Sequence, residues 1–412
     1  MESGTSTVRA ARWNFVFYIV LSSCLALGLM LLLLISLRPC AKRAAKNQCI
    51  PALAAPTFPV DAVILWADTN LRWEQARQQV AHQYQHHRLY APSANNFEPS
   101  RYTVTADDDE HRPQEHEAFW AAVSVAKNMP WIRQIVLVVN DDQCPPWICK
   151  LRARVQPMPV GLLKLSTFIP QKLLPTFSSD LIEAHLHRAD ALAEHFVLMS
   201  DDMFITSPVH ATSLFTADGK AIVRGEHPML ATHAGNAVQI LFFVFRSINN
   251  AYARSVINMV RQLWHMRESS ASFLPVVDFH HPRACTKSIL RLAARDLGKD
   301  VTSPYATTLR APLRAKRGCP SILAARTYAL MKGAAVIPPV RESPKVSTHA
   351  SYGVFKWNHD RAMRILSKKD HPPSMLCVNS VYEKGQSIRR VKHEYLRSLA
   401  SFFDDSARKV RH

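Results

Sequence analysis

Three short apolar runs, each closed by acidic or amide side chains, constrain the fold of this chain more than any other feature. VDAVILWA opens at Val60 and gives way to Asp68, Thr69 and Asn70; QIVLVVN runs from Gln134 to Asn140 and meets Asp141 and Asp142; HFVLMS runs from His195 to Ser200 and meets Asp201 and Asp202. Apolar runs of this length, without polar alternation, suit strands buried on both faces. Between the first two runs, Glu115 to Met129 places Phe119, Ala122, Val123 and Ala126 at helical spacing. Before the third, Ser178, Ser179 and Asp180 can cap a helix reaching about Arg188. Strand, helix, strand in succession predicts an α/β fold with a parallel sheet, whose ligands bind beyond the carboxyl ends of its strands. The C-terminal half is predicted to be more helical, with candidates at Ala251–Arg267, Thr286–Leu297, Ile322–Lys332 and Gln386–Phe403, and with Pro338 to Pro373 as a polar, basic surface excursion.

Ahead of this body, Trp13 to Leu37 is an uncharged apolar run, and about 20 such residues suffice to span a bilayer. It is too long for the core of a cleavable signal and is followed by Arg38, Lys42, Arg43 and Lys46. The predicted organisation is a short tail (1–12), one N-terminal transmembrane helix (13–37), a proline-bearing stem (38–59) and a body (60–412). Arg9 and Arg12 precede the span, so the basic bias taken alone would put the C-terminal side in the cytosol. No Asn-x-Ser/Thr acceptor is present to report on topology.

Lys and Arg total 51 against 32 Asp and Glu, a net charge of +19, which favours anionic partners such as phosphates and nucleotides. No recognised nucleic-acid-binding module accompanies the charge, so nucleic acid is not expected as a partner. Of eight cysteines, Cys24 lies in the apolar run, and the odd remainder forbids complete pairing. Cys144 and Cys149 are near enough in sequence to bridge across Pro145-Pro146, while buried thiols with one or two disulfides are the default expectation for all of them.

Hard oxygen ligands gathered on one sheet edge could hold Mg²⁺ or Mn²⁺ against the phosphates of a nucleotide. Asp201-Asp202 is the strongest candidate, because two adjacent acids after a wholly apolar strand are costly near a core unless a cation or donor meets them. Asp141 and Asp142, in a proline-bounded turn, read as ordinary strand-end polar residues. Glu183 and His187 stand four apart, with Arg188 beside them, a spacing that an exposed helix pair also satisfies. His280 and His281 could supply a general base. Arg310, Arg314, Lys316 and Arg317 could hold phosphate.

Taken together, these stretches resemble the Stealth family. VDAVILWAD (Val60–Asp68) is similar to its first region and EAFWAAVSVAKNMPWIRQIVLVVNDDQCPPWI (Glu117–Ile148) to its second. LPTFSSDLIEAHLHRADALAEHFVLMSDDMFITSPV (Leu174–Val209) carries Pro-Thr-Phe-Ser-Ser, Glu-x-x-x-His-Arg and Asp-Asp-x-Phe. His280-His281-Pro282 resembles the third region and MLCVNS (Met375–Ser380) the fourth. Ser380 stands where the family usually has Asp, Phe119 and Val123 where it commonly has arginines, and Asp141-Asp142 where it has a glycine.

The resemblance implies a nucleotide-sugar transferase-like core and transfer of a hexose 1-phosphate from a nucleotide sugar, of UDP-GlcNAc or GDP-mannose type, to a hydroxyl of a glycan or glycoprotein. A nucleoside monophosphate would be released. It further implies Mg²⁺ or Mn²⁺ and a single-pass type II setting, Golgi in eukaryotes, with the body in the lumen. Carried over by position, the catalytic group is His280, Asp202 and Arg314 or Arg317; the metal falls to Asp201 and Asp202; and substrate contacts fall to Asp68, Ser178, Ser179, Glu183, His187, Arg188 and Asn379. An ordinary metal-dependent glycosyltransferase, releasing a nucleoside diphosphate, or an inactive glycan-binding member are the alternatives.

Overall fold

The first apolar run forms β1 (Val60–Leu65), and its backbone is paired on both sides. The computed structural model describes residues 55–68, 71–84, 117–223, 251–266, 281–315, 317–337, 349–353, 374–379 and 388–404. The other two runs form β2 (Gln134–Val139) and β4 (His195–Ser200), and a strand not foreseen, β3 (Val160–Lys164), adds to β2. The sheet runs β3-β2-β1-β4-β7, parallel throughout except for β7 (Arg283–Thr286), which pairs antiparallel with β4. Leu65 pairs with Val138 and with Ser200, so the carboxyl ends of β1, β2 and β4 share one edge, as their acid endings predict.

Helix α1 (Leu71–Tyr84) follows β1, and α2 (Glu117–Asn128) precedes β2 within the predicted stretch. Helix α2 is buried on most sides because it lies between the sheet and the C-terminal helix; Trp120 stacks on Phe403 at 6.4 Å. Three further helices come next: α3 (Ile148–Arg154), α4 (Ser179–His185) and α5 (Ala251–His265). Then come α6 (Lys287–Asp296), α7 (Pro304–Thr308), α8 (Ser321–Met331) and α9 (Ile388–Phe403), and three of the four helices predicted for this half match within a few residues. The fourth, α5, lies within its predicted span as well. A small sheet of β5 (Met203–Ile205), β10 (Met375–Asn379) and β9 (His349–Gly353) stands beside the main one, and β6 (Ala221–Ile222) pairs with β8 (Ala335–Val336). Strand β9 falls inside the stretch read from sequence as a surface excursion.

The amino ends of the strands are fastened by a buried carboxylate. Asp61, fully enclosed, accepts two bonds of 2.8 Å from the Arg133 guanidinium, one of 2.7 Å from the Ala193 N–H and one of 3.2 Å from Gln134. A buried charge saturated by donors in this way ties β1, β2 and the approach to β4 in register. Phe58, assigned to the stem, stacks on His195 at 4.1 Å and so packs with the body.

Cys144 and Cys149 are both exposed and unbridged, and no disulfide is present among the described residues. Residues 13–37 lie outside the described residues; among the described ones no helix is long and apolar enough to cross a membrane.

Candidate active site

The carboxyl ends of β1, β2 and β3 open onto a cleft of about 820 Å³. Its wall carries Asp68 after β1, Asn140 and Asp142 after β2, and Lys164 at the end of β3, with Arg72 and Trp73 from α1. Leu174, Pro175 and Phe177 also line the cleft, and the Phe177 ring meets Trp73 edge-on at 5.2 Å. Two cations, several acids and aromatic faces around a cavity of this size suit a phosphorylated, ring-containing ligand. Arg72, Trp73 and Lys164 escaped the sequence reading because no motif singles them out.

Asp141 also borders the cleft, but its carboxylate accepts from both the N–H and the Oγ of Ser166, capping the turn after β3. That structural use agrees with the ordinary strand-end role read from its turn.

Asp201 and Asp202 follow β4, next to β1 in the sheet, and neither lines this cleft. The turn they occupy is held from two sides. Helix α2 grips the following strand: Ile205 N–H donates to Ser124 Oγ at 2.9 Å, and Asn128 Nδ2 donates to Ile205 O at 2.6 Å. Strand β10 closes the other side, with Val378 N–H donating to Asp202 O at 3.0 Å and Cys377 Sγ 3.6 Å from Asp202 Oδ2. Asn379 therefore ends its strand beside the acid pair. Burial first, then the charges of Asp201 and Glu117, push the Asp202 carboxyl up to about 8. Glu117, at the first turn of α2, was not read as a site residue, since an acid at a helix start is commonplace.

Among the described residues, no group of three or more His, Cys, Asp or Glu side chains is gathered for a metal ion. The pair Asp201-Asp202 is nonetheless chemically suited to Mg²⁺ or Mn²⁺, which bind through one or two carboxylates and complete their shell with substrate phosphate and water. Like charge crowding a half-buried carboxylate is what a divalent cation relieves.

The third cluster lies at the amino end of α4. Ser178 caps the helix, its Oγ accepting from Leu181 N–H at 3.4 Å. Arg314 reaches this end: its Nη2 donates to Ser179 Oγ at 3.3 Å and its Nε lies 3.3 Å from Asp180 Oδ2. The loop bearing Arg314 is fixed because Phe177 N–H and Thr176 Oγ1 both donate to Pro312 O, at 2.7 and 3.1 Å. Arg317 is exposed and has no such tie to α4. Glu183 points inward and accepts from Ser321 Oγ at 3.3 Å. Burial and the charge of Asp180 raise its carboxyl to about 7, against the opposing pull of Arg283 and Arg314.

Glu183 and His187 have different surroundings. The α-helix ends at His185 and tightens into a 3₁₀ turn, Leu186–Arg188, which breaks the spacing that would have aligned them. His187, its pKa lowered mainly by burial, feels the charges of Arg188, Arg291 and Lys287. Lys287 N–H donates to Glu194 O at 2.8 Å, immediately before β4, so His187 and the exposed Arg188 sit at the amino edge of the sheet, opposite Asp201 and Asp202. His185, which sequence reasoning passed over, is buried on Leu181 O at 2.9 Å and lowered to about 4 by desolvation, a neutral packing residue. His280, Asn70 and Lys316 lie outside the described residues, as does the side chain of Asn379.

Residues 114–223 match the family model for Stealth protein CR2, conserved region 2. The chain carries a Stealth region. It contains Glu117, the β2 and β3 side of the cleft, all of α4, and Asp201 with Asp202, whereas Asp68, Arg314 and β10 lie outside it. The chain is 32% identical over 171 residues to the capsular polysaccharide phosphotransferase LcbA of Neisseria meningitidis, a match covering 41% of each. It is 30% identical over 167 residues to a capsular polysaccharide phosphotransferase of Haemophilus influenzae, covering 40% of each. To an exopolysaccharide phosphotransferase of Streptomyces coelicolor it is 34% identical over 193 residues, 45% of this chain and 18% of that one. The chain thus spans well under two thirds of the length of these relatives, and the Stealth region is the segment that the family model identifies.

Proposed function

We propose that this protein is a phosphotransferase that moves a hexose 1-phosphate from a nucleotide sugar, of UDP-GlcNAc or GDP-mannose type, to a glycan hydroxyl. The observation that carries this reading is that the Asp201-Asp202 turn and a cleft with both acids and cations lie on one edge of a parallel sheet, the Stealth region supplying the turn and the β2 and β3 side of the cleft. Its relatives are named capsular polysaccharide and exopolysaccharide phosphotransferases, which supports the reaction class.

In the proposed reaction the acceptor hydroxyl oxygen forms a bond to the phosphorus next to the sugar. The bridging bond of the diphosphate breaks, and a nucleoside monophosphate leaves with the electron pair. Arg72 and Lys164 in the cleft, with Arg314 at the amino end of α4, bind and orient phosphate oxygens as charge redistributes. Asp201 and Asp202 would hold Mg²⁺ or Mn²⁺, which supplies neutralisation of the diphosphate charge. His280, placed by resemblance, takes the proton of the hydroxyl. We extend the proposal to a type II anchor at 13–37, with the body in the Golgi lumen.

The test is the identity of the released nucleotide. Incubating the purified chain with UDP-GlcNAc or GDP-mannose, a glycan acceptor and Mg²⁺ or Mn²⁺ should release UMP or GMP, read by mass spectrometry. Release of UDP or GDP instead would mean attack at carbon and an ordinary glycosyltransferase. Binding of the nucleotide sugar or glycan without any release would mean an inactive glycan-binding member.

A further inference from the structure

The pairing of β1 with β2 does not stop where their backbones part. Trp66 N–H donates to Val138 O at 3.1 Å as the last backbone rung, and beyond it a side chain takes over. Gln143 Nε2 donates to Asp68 O at 2.8 Å while Gln143 Oε1 accepts from Asp68 N–H at 3.1 Å. A primary amide presents an N–H donor and a carbonyl acceptor in one plane, as a peptide group does, so Gln143 acts as an extra rung bonded to both polar groups of one residue. Its own orientation is fixed by Asn140 Nδ2, which donates to the same Oε1 at 3.1 Å. Asp68, Asn140 and Gln143 all border the cleft.

We propose that Gln143 is a positioning residue: its side-chain amide sets the backbone of Asp68 and thereby aims the Asp68 carboxylate into the donor cleft. This rests on the transferase reading above. Neither relation is visible from spacing, because the two residues are 75 positions apart in the sequence.

The demand on Gln143 is simultaneous donation and acceptance. Alanine removes both bonds. Asparagine keeps the amide on a shorter stem that cannot span the same two atoms. Glutamate preserves size but, when ionised, places a second acceptor against Asp68 O. When protonated, the introduced carboxyl regains a donor and keeps an acceptor, so its function should return as pH falls toward the ordinary carboxyl range near about 4.3.

The experiment uses the full chain and the three substitutions Gln143→Ala, Gln143→Asn and Gln143→Glu. Hydrogen exchange at the Asp68 amide, followed by mass spectrometry, should be about tenfold faster or more in Gln143→Ala and Gln143→Asn. With UDP-GlcNAc or GDP-mannose as donor, KM should rise about fivefold to tenfold in both while kcat changes less. Gln143→Glu should resemble Gln143→Ala near neutral pH and approach wild type on acidification, a recovery that Gln143→Ala cannot show. Unchanged exchange at Asp68 in Gln143→Ala overturns the proposal, as does a wild-type donor KM in an active enzyme. A wild-type chain that neither binds nor cleaves the nucleotide sugar, yet whose Asp68 amide is released by Gln143→Ala, refutes the transferase reading and leaves the latch standing.

Discussion

Cys377 Sγ lies 3.6 Å from Asp202 Oδ2, so a strand from the chain's C-terminal part donates directly to an acid that follows β4. The adjoining backbone bond, Val378 N–H to Asp202 O, makes the contact part of strand addition rather than a chance approach. The thiol is a weak donor, but its partner is a carboxylate in a half-buried site. Replacing Cys377 by Ala should cost about 1 kcal/mol of transition-state stabilisation, roughly a fivefold fall in kcat. Cys377→Ser, which keeps a donor of similar size, should stay within about twofold of wild type. Initial rates of nucleoside monophosphate release at saturating Mg²⁺ or Mn²⁺ check this.

Asp202→Ala should reduce turnover by about a thousandfold or more, because it removes one of the two proposed cation ligands. It should not lower the melting temperature in metal-free buffer. A carboxyl pushed up to about 8, first by burial and then by Asp201 and Glu117, is one whose ionised form the fold disfavours, so its removal should not cost stability. Adding EDTA to wild type should reproduce the loss of turnover, and readdition of Mn²⁺ should restore wild type but not the variant.

Arg314 and Arg317 were equivalent candidates in the sequence, and only the fold distinguishes them. Arg314 is ion-paired to Asp180 and bonded to Ser179, while Arg317 is exposed and outside that network. Arg314→Ala should therefore lower kcat/KM about a hundredfold, and Arg317→Ala less than about threefold. Because the Arg314 side chain is 50% exposed, its pair with Asp180 contributes little to folding, about 0.5 kcal/mol or less. Denaturation midpoints close to wild type in both variants, alongside the split in kcat/KM, would distinguish this from a structural effect.

Much of this architecture was legible because buried parallel strands must be continuously apolar. β1, β2 and β4 were delimited by composition alone, and their shared carboxyl edge followed from the parallel arrangement. β3 was missed because it contains Gly161 and ends in an exposed Lys164, as an edge strand can. β7, with only four residues and an arginine among them, falls below what periodicity can detect. The acid pair after β4 stood out by its cost near a core. The Gln143–Asp68 bonds, Glu117 beside Asp202 and the far-edge position of Arg188 did not, since each depends on where separate segments meet. Glu183 and His187 differ for a local reason: the helix changes its winding after His185, and four-residue spacing loses its meaning there.

Glu183 makes the pH dependence of stability a test of the α4 cluster. Its ordinary value is 4.5 and its folded value about 7, with burial the main cause and Asp180 the second. A folded pKa above the unfolded one means that the native state binds the proton more tightly. The resulting stabilisation is complete below about pH 4.5 and is lost as pH rises through about 7. The difference corresponds to about 3 kcal/mol between the two limits. Gln in place of Glu183 mimics the protonated form and can still accept from Ser321. Glu183→Gln should match wild type near about pH 5 and exceed it by up to about 3 kcal/mol near about pH 8.5, measured by urea unfolding. Asp202 shifts in the same direction in both proteins, so the difference between them isolates Glu183. Parallel stability curves for the two would show that Arg283 and Arg314 keep the carboxylate ionised throughout, and that α4 presents a standing negative charge beneath Arg314.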